Sequence, residues 1–151
     1  MAVLEIRKAG DPVLKKQAAL VERVDKRIKK LLDDMAETMY QADGVGLAAP
    51  QIGVSQQIII VDIGEGLIEL INPQIVQSEG CETGAEGCLS VPGVFGDVER
   101  FTAVTVEGLN RNGRKVKIKA EGFFARALQH EIDHLQGILF IEKAQTLQRG
   151  L

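Results

Sequence analysis

The sequence predicts an α+β fold, because two helical patterns lie towards the ends of the chain and strand patterns lie between them. Helices and strands do not alternate, so a parallel sheet built from βαβ units is not expected. With 151 residues, of which 45% are hydrophobic, the chain is long enough to bury a core without disulfide bonds. No repeat, low-complexity tract or linker divides it. We therefore expect residues 1–151 to form a single domain.

The composition argues against several classes of protein. Eighteen basic and 21 acidic side chains give a net charge of −3, so the chain lacks the basic surface of a typical nucleic-acid-binding protein. No apolar run approaches the length of a membrane-spanning helix, and the N-terminal sequence has no signal-peptide pattern. Two cysteines are too few for a disulfide framework. We expect a cytoplasmic protein that binds neither membranes nor nucleic acids.

The first helix is predicted from Asp25 to Ala42. One face repeats apolar residues at the i, i+3, i+4, i+7 spacing of a helix. These residues are Ile28, Leu31, Leu32, Met35 and Met39. Asp25 is a suitable N-cap, and Gly44 lies just beyond the end of the pattern. Before this helix we expect irregular chain, with a turn at Gly10-Asp11-Pro12.

Two strands are predicted in the segment after the first helix. Residues 57–63 and 67–76 are rich in Ile and Val, and the turn Gly64-Glu65-Gly66 joins them. The polar, glycine-rich residues 79–84 that follow are predicted as a loop. These residues include Cys81, which we expect to be an exposed thiol without a role in the site.

A second pair of strands is predicted as a hairpin. Val104 and Val106 alternate with polar residues, and a second alternation at residues 116–120 follows the turn signal Asn112-Gly113. This pattern is typical of a hairpin with one buried face. Its exposed face carries lysines. A nucleic-acid-binding surface built on those lysines would lack an aromatic stacking platform, because the chain has one Tyr, five Phe and no Trp.

The second helix is predicted from Gly122 to about Gln136, and Gly137 is placed to end it. It contains the sequence His130-Glu131-Ile132-Asp133-His134. Residues four apart stand on the same helical face, so both imidazoles can reach one metal ion. Glu131 can then reach a water on that ion. Histidines and carboxylates on a mostly buried helix would be costly without partners, and a metal supplies one.

The residues alone do not fix the third metal ligand. A catalytic site of this kind needs three protein ligands and an open position. Phe140 stands where one class of metalloproteases has its third histidine, and the chain contains no other histidine. The remaining candidates are Cys81, Cys88 and Glu142, of which Glu142 lies eight residues after His134 and past the helix. Chemistry does not choose between the two thiols.

Three separate segments carry a further signal. They are Gly44-Val45-Gly46-Leu47-Ala48-Ala49-Pro50-Gln51, then Glu86-Gly87-Cys88-Leu89-Ser90, then Gln129-His130-Glu131-Ile132-Asp133-His134. In this order they resemble the motifs of the peptide deformylase family, and the likeness extends over nearly the whole chain. The resemblance implies Cys88 as the third ligand beside His130 and His134. It also implies a fold of small antiparallel sheets packed around the helix that carries both histidines.

The resemblance implies an enzyme that removes the formyl group from N-formylmethionyl nascent polypeptides and releases formate. In such a reaction Glu131 takes a proton from the attacking water and delivers it to the leaving amine. The side-chain amide of Gln51 and the backbone N–H of Leu89 are implied as donors to the oxyanion. Without the resemblance, Gln51 is better interpreted as an amide that caps a loop.

Substrate-binding residues are also implied by the resemblance. Val45, Gly46 and Gly87 would lie along the peptide, and Val45 and Ala127 would line the pocket for the methionine side chain. Without the resemblance, Gly46 is an ordinary turn glycine.

Two supporting interactions are predicted around the ligands. Glu86 is expected either to pair with Arg100, and so to hold the segment of Cys88 in register, or to be a surface charge, as Arg100 could also be. Asp133, on the same helix as the two histidines, is expected either to orient a ligand or to bond a neighbouring backbone group.

The identity of the ion is not encoded in these residues. One Cys and two His ligands accept Zn²⁺, Ni²⁺, Co²⁺ or Fe²⁺. The resemblance implies Fe²⁺ in the cell, with Zn²⁺ or Ni²⁺ as common occupants after purification. Many family members carry a longer C-terminal helix linked with docking on the ribosome. The present chain ends 17 residues after His134, which leaves docking by that route open to question.

Two other functions are compatible with the metal motif. A metallopeptidase would cleave internal peptide bonds of unformylated peptides, but the third histidine of the matching class is absent. A catalytically silent deformylase-like metal-binding module would lack the base or the oxyanion donors. Because Glu131, Gln51 and Leu89 are all present, we favour the enzyme.

Overall fold

A computed structural model describes residues 2–149, and its two α-helices lie where the sequence predicts them. Helix α1 covers Lys26–Gln41, and helix α2 covers Gly122–Leu135. Asp25 caps α1, because its Oδ1 accepts a hydrogen bond from the backbone N–H of Ile28 at 3.1 Å. Gly137 follows α2 with a φ of 77°, a left-handed conformation that favours glycine. Neither helix has the length and apolar character needed to cross a membrane.

Eight strands of the described chain form two antiparallel sheets. In chain order they are β1 (Gly46–Ala48), β2 (Ile58–Val61), β3 (Ile68–Glu79), β4 (Glu82–Cys88), β5 (Val91–Arg100), β6 (Ala103–Leu109), β7 (Lys115–Glu121) and β8 (Ala144–Arg149). The larger sheet has the strand order β1-β2-β3-β6-β7, and the smaller sheet has the order β4-β5-β8. The prediction of an α+β fold with small antiparallel sheets is therefore confirmed.

The strands predicted from sequence form the larger sheet. Strand β2 is shorter than the predicted residues 57–63, whereas β3 extends past the predicted end at Val76 because it continues to pair with β6. The predicted hairpin is β6–β7, with Val106 opposite Ile118. Its turn includes Gly113, which has a φ of 76°.

The smaller sheet contains the main departure from the predicted secondary structure. The predicted loop over residues 79–84 is wrong, because only Gly80 and Cys81 lie between β3 and β4. Strands β4 and β5 contain glycines at positions where an apolar residue would make the strand pattern visible. The absence of a side chain at these positions also lets neighbouring strands approach closely. A Cβ at Gly96 in β5 would lie only 2.5 Å from the carbonyl oxygen of Thr146 in β8. Packing of this sheet therefore depends on residues that do not have a high strand propensity.

The core lies on both faces of the larger sheet. Strand β2 is fully buried, with Ile59 and Val61 facing α2 and Ile58 and Ile60 facing α1. The apolar face predicted for α1 packs here, since Ile28, Leu32, Met35 and Met39 have no exposed surface. Burial of each such side chain contributes about 1.5–3 kcal/mol. On the opposite face, the packing of α2 against Ile59 and Val61 fixes the position of that helix. Helix α2 also contacts the smaller sheet through polar side chains.

The N-terminal segment joins two parts of the chain that approach the candidate site. The backbone N–H of Arg7 donates to the carbonyl oxygen of Gln51 at 2.7 Å, and that of Ala9 donates to the carbonyl oxygen of Ser90 at 2.8 Å. Gln51 lies in the short 3₁₀ helix Ala49–Ile52 after β1, and Ser90 lies in the turn between β4 and β5. These bonds hold the two segments side by side.

Candidate metal centre

Helix α2 presents His130, Glu131 and His134 to a buried site. All three residues are less than one-tenth exposed. The two imidazoles lie one helical turn apart, with ring centroids 5.1 Å from each other. The helical spacing predicted from sequence therefore brings both rings to the same place.

Cys88 completes a group of three potential ligands. It is the last residue of β4, and its Sγ lies 3.4 Å from Nε2 of His134. One ligand atom each from Cys88, His130 and His134 lies within 4.8 Å of the others. The structure thus brings together the three residues predicted as ligands.

The other two candidates for the third ligand lie elsewhere. Cys81 is exposed, as predicted, and the neighbouring Glu99 raises the pKa of its thiol. Glu142 accepts hydrogen bonds from the backbone N–H of Leu139 and from Lys15. Neither belongs to the cluster formed by the described residues.

The surroundings of the two histidines fit a metal ion. Nδ1 of His130 lies 2.9 Å from Oε1 of Glu86, which leaves Nε2 available to coordinate an ion. Nε2 of His134 faces Sγ of Cys88, so this nitrogen is directed into the same site. One sulfur and two imidazole nitrogens form a donor set for a borderline divalent ion such as Zn²⁺, Fe²⁺, Co²⁺ or Ni²⁺.

The electrostatics of the site favour a cation between these residues. Burial disfavours a charged imidazole, yet bonds to Cys88 and Glu86 outweigh it and raise the pKa of His130 to about 10. Burial and the charge of His130 hold the pKa of His134 well below its ordinary value. The same anionic groups that retain a proton on His130 would stabilise a metal ion in its place.

Glu131 is buried beside the cluster. Burial raises the pKa of its carboxyl group to about 7. Its Oε1 is buried and has no hydrogen-bond partner in residues 2–149. The carboxylate also packs directly against the backbone of Gly46, where an added Cβ would overlap with Oε2. Gly46 is therefore required by close packing as well as by its place in a motif.

The two amide atoms of Gln51 have different partners. Its Oε1 accepts a hydrogen bond from the backbone N–H of Ala48 at 2.9 Å, which is the capping interaction. Its Nε2 donates to Oγ of Ser90 at 3.1 Å and approaches Sγ of Cys88 at 3.5 Å. The cap fixes the orientation of the amide, and this orientation directs the Nε2 group towards the cluster.

An open cleft of about 410 Å³ gives access to the site. All four residues predicted to bind substrate line this cleft: Val45, Gly46, Gly87 and Ala127. Phe95 and Phe123 also line it, and about half of each side chain is exposed. No local pattern identifies Phe95 as a cleft residue, because the glycine-containing β5 lacks the apolar alternation of a strand.

A buried network of charges surrounds Glu86. As predicted, Glu86 pairs with Arg100, which donates from Nε at 2.9 Å and from Nη2 at 2.8 Å. Arg100 also donates to Asp133, so Asp133 contacts this network rather than a ligand or a backbone group. The pKa of Glu86 falls to about 2, because Arg100 and His130 outweigh the opposing effect of burial. Arg126 is a further partner of Glu86 that sequence reasoning missed.

An α+β domain whose helix presents His-Glu-x-x-His to a thiolate has the architecture of a metal-dependent hydrolase. Comparison with known proteins identifies its family. A family model for polypeptide deformylase matches residues 3–150. The chain belongs to this family, whose members are metalloenzymes that deformylate nascent chains, so the predicted family and enzyme class are confirmed.

Individual relatives cover nearly the entire chain. The peptide deformylase of Pelotomaculum thermopropionicum is 58% identical over 149 residues, which are 99% of this chain and 96% of that protein. The peptide deformylase of Halothermothrix orenii is 63% identical over 145 residues, covering 95% and 94%. The crystal structure of peptide deformylase from Thermotoga maritima matches with a TM-score of 0.94 at 44% identity, covering 97% of this chain and 100% of that one. Nothing in these comparisons favours a catalytically silent module.

Proposed function

We propose that the chain hydrolyses the formamide bond of N-formylmethionyl peptides and releases formate, using one divalent ion held by Cys88, His130 and His134. The observation that carries this proposal is the convergence of these three residues beside Glu131, whose Oε1 has no hydrogen-bond partner within residues 2–149. The ion would polarise the formyl carbonyl group and increase the acidity of a water molecule. The native ion is Fe²⁺, and Zn²⁺, Ni²⁺ or Co²⁺ can occupy the same donor set.

Glu131 acts as the general base and then as the general acid. Its Oε1 has no other partner in the described chain, so it is free to accept a proton from the attacking water. The same carboxyl group then delivers the proton to the leaving amine of the methionine residue. Burial supports this role, because it raises the pKa of the carboxyl group and so favours proton exchange near neutral pH.

Gln51 and Leu89 stabilise the oxyanion that develops on the formyl oxygen. The Nε2 group of Gln51 is held next to Cys88 because Ala48 and Ser90 fix the amide at both ends. Leu89 directly follows Cys88, so its backbone N–H lies beside the same ligand. Donors fixed in advance stabilise the transition state more than donors that must reorient.

The peptide binds in the cleft beside these groups. Val45, Gly46 and Gly87 lie along its backbone, and Val45 and Ala127 line the pocket for the methionine side chain. Their position around one cleft supports this assignment. We further propose that residues 1–151 form one catalytic domain, which acts on nascent chains in the cytoplasm. The family match to residues 3–150 supports a single domain.

The direct test is formate release from an N-formylmethionyl peptide by protein purified without oxygen. The same peptide with an N-acetyl group is the control, since it adds one methyl group to the carbonyl carbon. We expect formate from the formyl peptide and no product from the acetyl peptide. If a metal-loaded protein released no formate, the proposed activity would be wrong.

A further inference from the structure

The carboxylate of Glu86 is fully occupied by four hydrogen-bonding groups. Its Oε1 contacts Nη2 of Arg100 at 2.8 Å and Nδ1 of His130 at 2.9 Å. Its Oε2 accepts from Nε of Arg100 at 2.9 Å and from Nη1 of Arg126 at 2.8 Å. Glu86 is only 7% exposed, so water cannot readily replace a partner that is lost.

Arg126 reaches Glu86 from helix α2, one turn before His130. Its guanidinium group also donates to two strands of the smaller sheet. Nη1 donates to the carbonyl oxygen of Val98 at 2.8 Å, and Nη2 donates to that of Glu82 at 3.0 Å. The side chain therefore links the helix that carries two candidate ligands to the hairpin that carries Cys88.

The smaller sheet leaves space for this guanidinium group at Gly84. A Cβ on Gly84 would lie 3.2 Å from Cζ of Arg126, a tighter contact than most side chains tolerate. The backbone of Gly84 does not lie in the left-handed region, so its conformation does not itself require glycine. The close approach of Arg126 is the steric reason for a small residue at this position.

We propose that Arg126 is a positioning residue for the metal site, which orients His130 through Glu86 and fixes helix α2 relative to Cys88. This inference rests on the proposed metal site. Without Arg126, Oε2 of Glu86 would keep one donor, and the carboxylate could turn about its pair with Arg100. The imidazole of His130 would then lose its fixed orientation. Partners of this kind typically contribute about 10–100-fold to metal affinity.

The test measures affinity for Co²⁺ by chelator competition, together with the thiolate-to-cobalt absorption band. Arg126→Met removes the guanidinium group and keeps an unbranched apolar stem. We expect its affinity to fall by about 10–100-fold with a changed absorption band. Arg126→Lys keeps the charge but cannot bond Glu86, Val98 and Glu82 together, so its loss should be smaller. Lys143→Met is the matched control, because Lys143 pairs with Asp133 and does not contact Glu86.

A double-mutant cycle separates this role from a general effect on folding. If Arg126 acts through Glu86, Arg126→Met should cause a much smaller loss of affinity in a Glu86→Gln background than in the wild type. Equal losses in both backgrounds would overturn the proposal. So would unchanged Co²⁺ affinity in folded Arg126→Met and Arg126→Lys, even with reduced thermal stability. A wild-type chain that binds no Co²⁺ would instead overturn the proposed metal site itself.

Discussion

Glu131 combines burial, contact with Gly46 and an oxygen without a hydrogen-bond partner among the described residues, and each property follows from its place on α2 next to His130. We expect Glu131→Gln to lower kcat by about 10²–10⁴-fold, because an amide of the same size cannot accept the proton. The metal content should remain that of the wild type, since Glu131 is not one of the ligands. Formate release and metal analysis on the same sample test this. Glu142→Gln, away from the cluster, is the control. Full activity in Glu131→Gln would contradict the assignment of the base.

A substitution at Gly46 tests whether the position of the Glu131 carboxylate matters for activity. In Gly46→Ala the new methyl group would displace the carboxylate of Glu131 rather than a metal ligand. We expect activity to fall by about 10²-fold, the typical effect of misplacing a catalytic group by about 1 Å. The affinity for Co²⁺ should stay unchanged. A variant that keeps wild-type turnover would show that the position of Glu131 is not critical.

The residues of the site differ in how far the sequence identifies them. His130 and His134 follow from helical spacing alone, because residues four apart must share a face. Cys88 required the family resemblance, since its partners come from another part of the chain. Gln51 shows why local reasoning is incomplete. Its capping bond to Ala48 is a local interaction, whereas the direction of its other amide atom depends on Ser90, which is remote in sequence.

At the scale of elements, helix α1 anchors the N-terminal segment through Asp34. The carboxylate accepts from Nζ of Lys30 at 2.8 Å and from the backbone N–H of Ala2 at 2.9 Å. The hydrogen bond from Lys30 is the largest cause that holds the pKa of Asp34 below its ordinary value, and the bond from Ala2 acts in the same direction. A depressed pKa in the folded state means that the carboxylate stabilises the fold above its unfolded pKa. That stability is lost as pH falls through the folded value.

Asp34→Asn should therefore reduce the free energy of unfolding at pH 7 by about 1 kcal/mol. The difference from the wild type should begin to shrink as the pH falls below about 4, where the carboxyl group of the unfolded chain takes up a proton, and should be smallest below the depressed folded pKa. Urea unfolding at several pH values measures both effects. Glu37→Gln is the control on the same helix, because no hydrogen bond or ion pair of Glu37 occurs in residues 2–149. A pH-independent difference would rule out the charge of Asp34 as the cause.

The elements that were predicted correctly are those with a clear apolar period. Helix α1 and hairpin β6–β7 each bury one face, so the burial pattern is visible in the sequence. Hairpin β4–β5 was missed because glycines occupy many of its positions, as at Gly84 and Gly96. These glycines are explained by close contacts with Arg126 and with β8, which are set by tertiary packing. No periodicity in the local sequence could have revealed them.

At the scale of the whole molecule, the candidate metal site adds a further link between the smaller sheet and helix α2. Cys88 belongs to the smaller sheet, whereas His130 and His134 lie on the helix that packs against the larger sheet. A bound ion would therefore oppose the separation of the two sheets. Binding to the folded state alone stabilises it by about 2.7 kcal/mol when the free ligand is 100-fold above its Kd.

Removal of the metal should therefore lower the melting temperature. For a chain of this length, about 2.7 kcal/mol corresponds to a shift of roughly 5–10 °C. Calorimetry of the metal-loaded and chelator-treated protein measures the shift. In Cys88→Ala, which lacks one ligand, the chelator should have a much smaller effect. Equal shifts in the wild type and in Cys88→Ala would contradict a site that joins the two sheets through Cys88.

The central claim is that Cys88, His130 and His134 together hold one metal ion. X-ray absorption at the metal edge of the purified, metal-loaded protein tests it most directly, because it counts the sulfur and nitrogen neighbours. For the zinc form we predict one sulfur at about 2.3 Å and two imidazole nitrogens at about 2.0–2.1 Å. A spectrum without sulfur, or one without imidazole, would contradict the account.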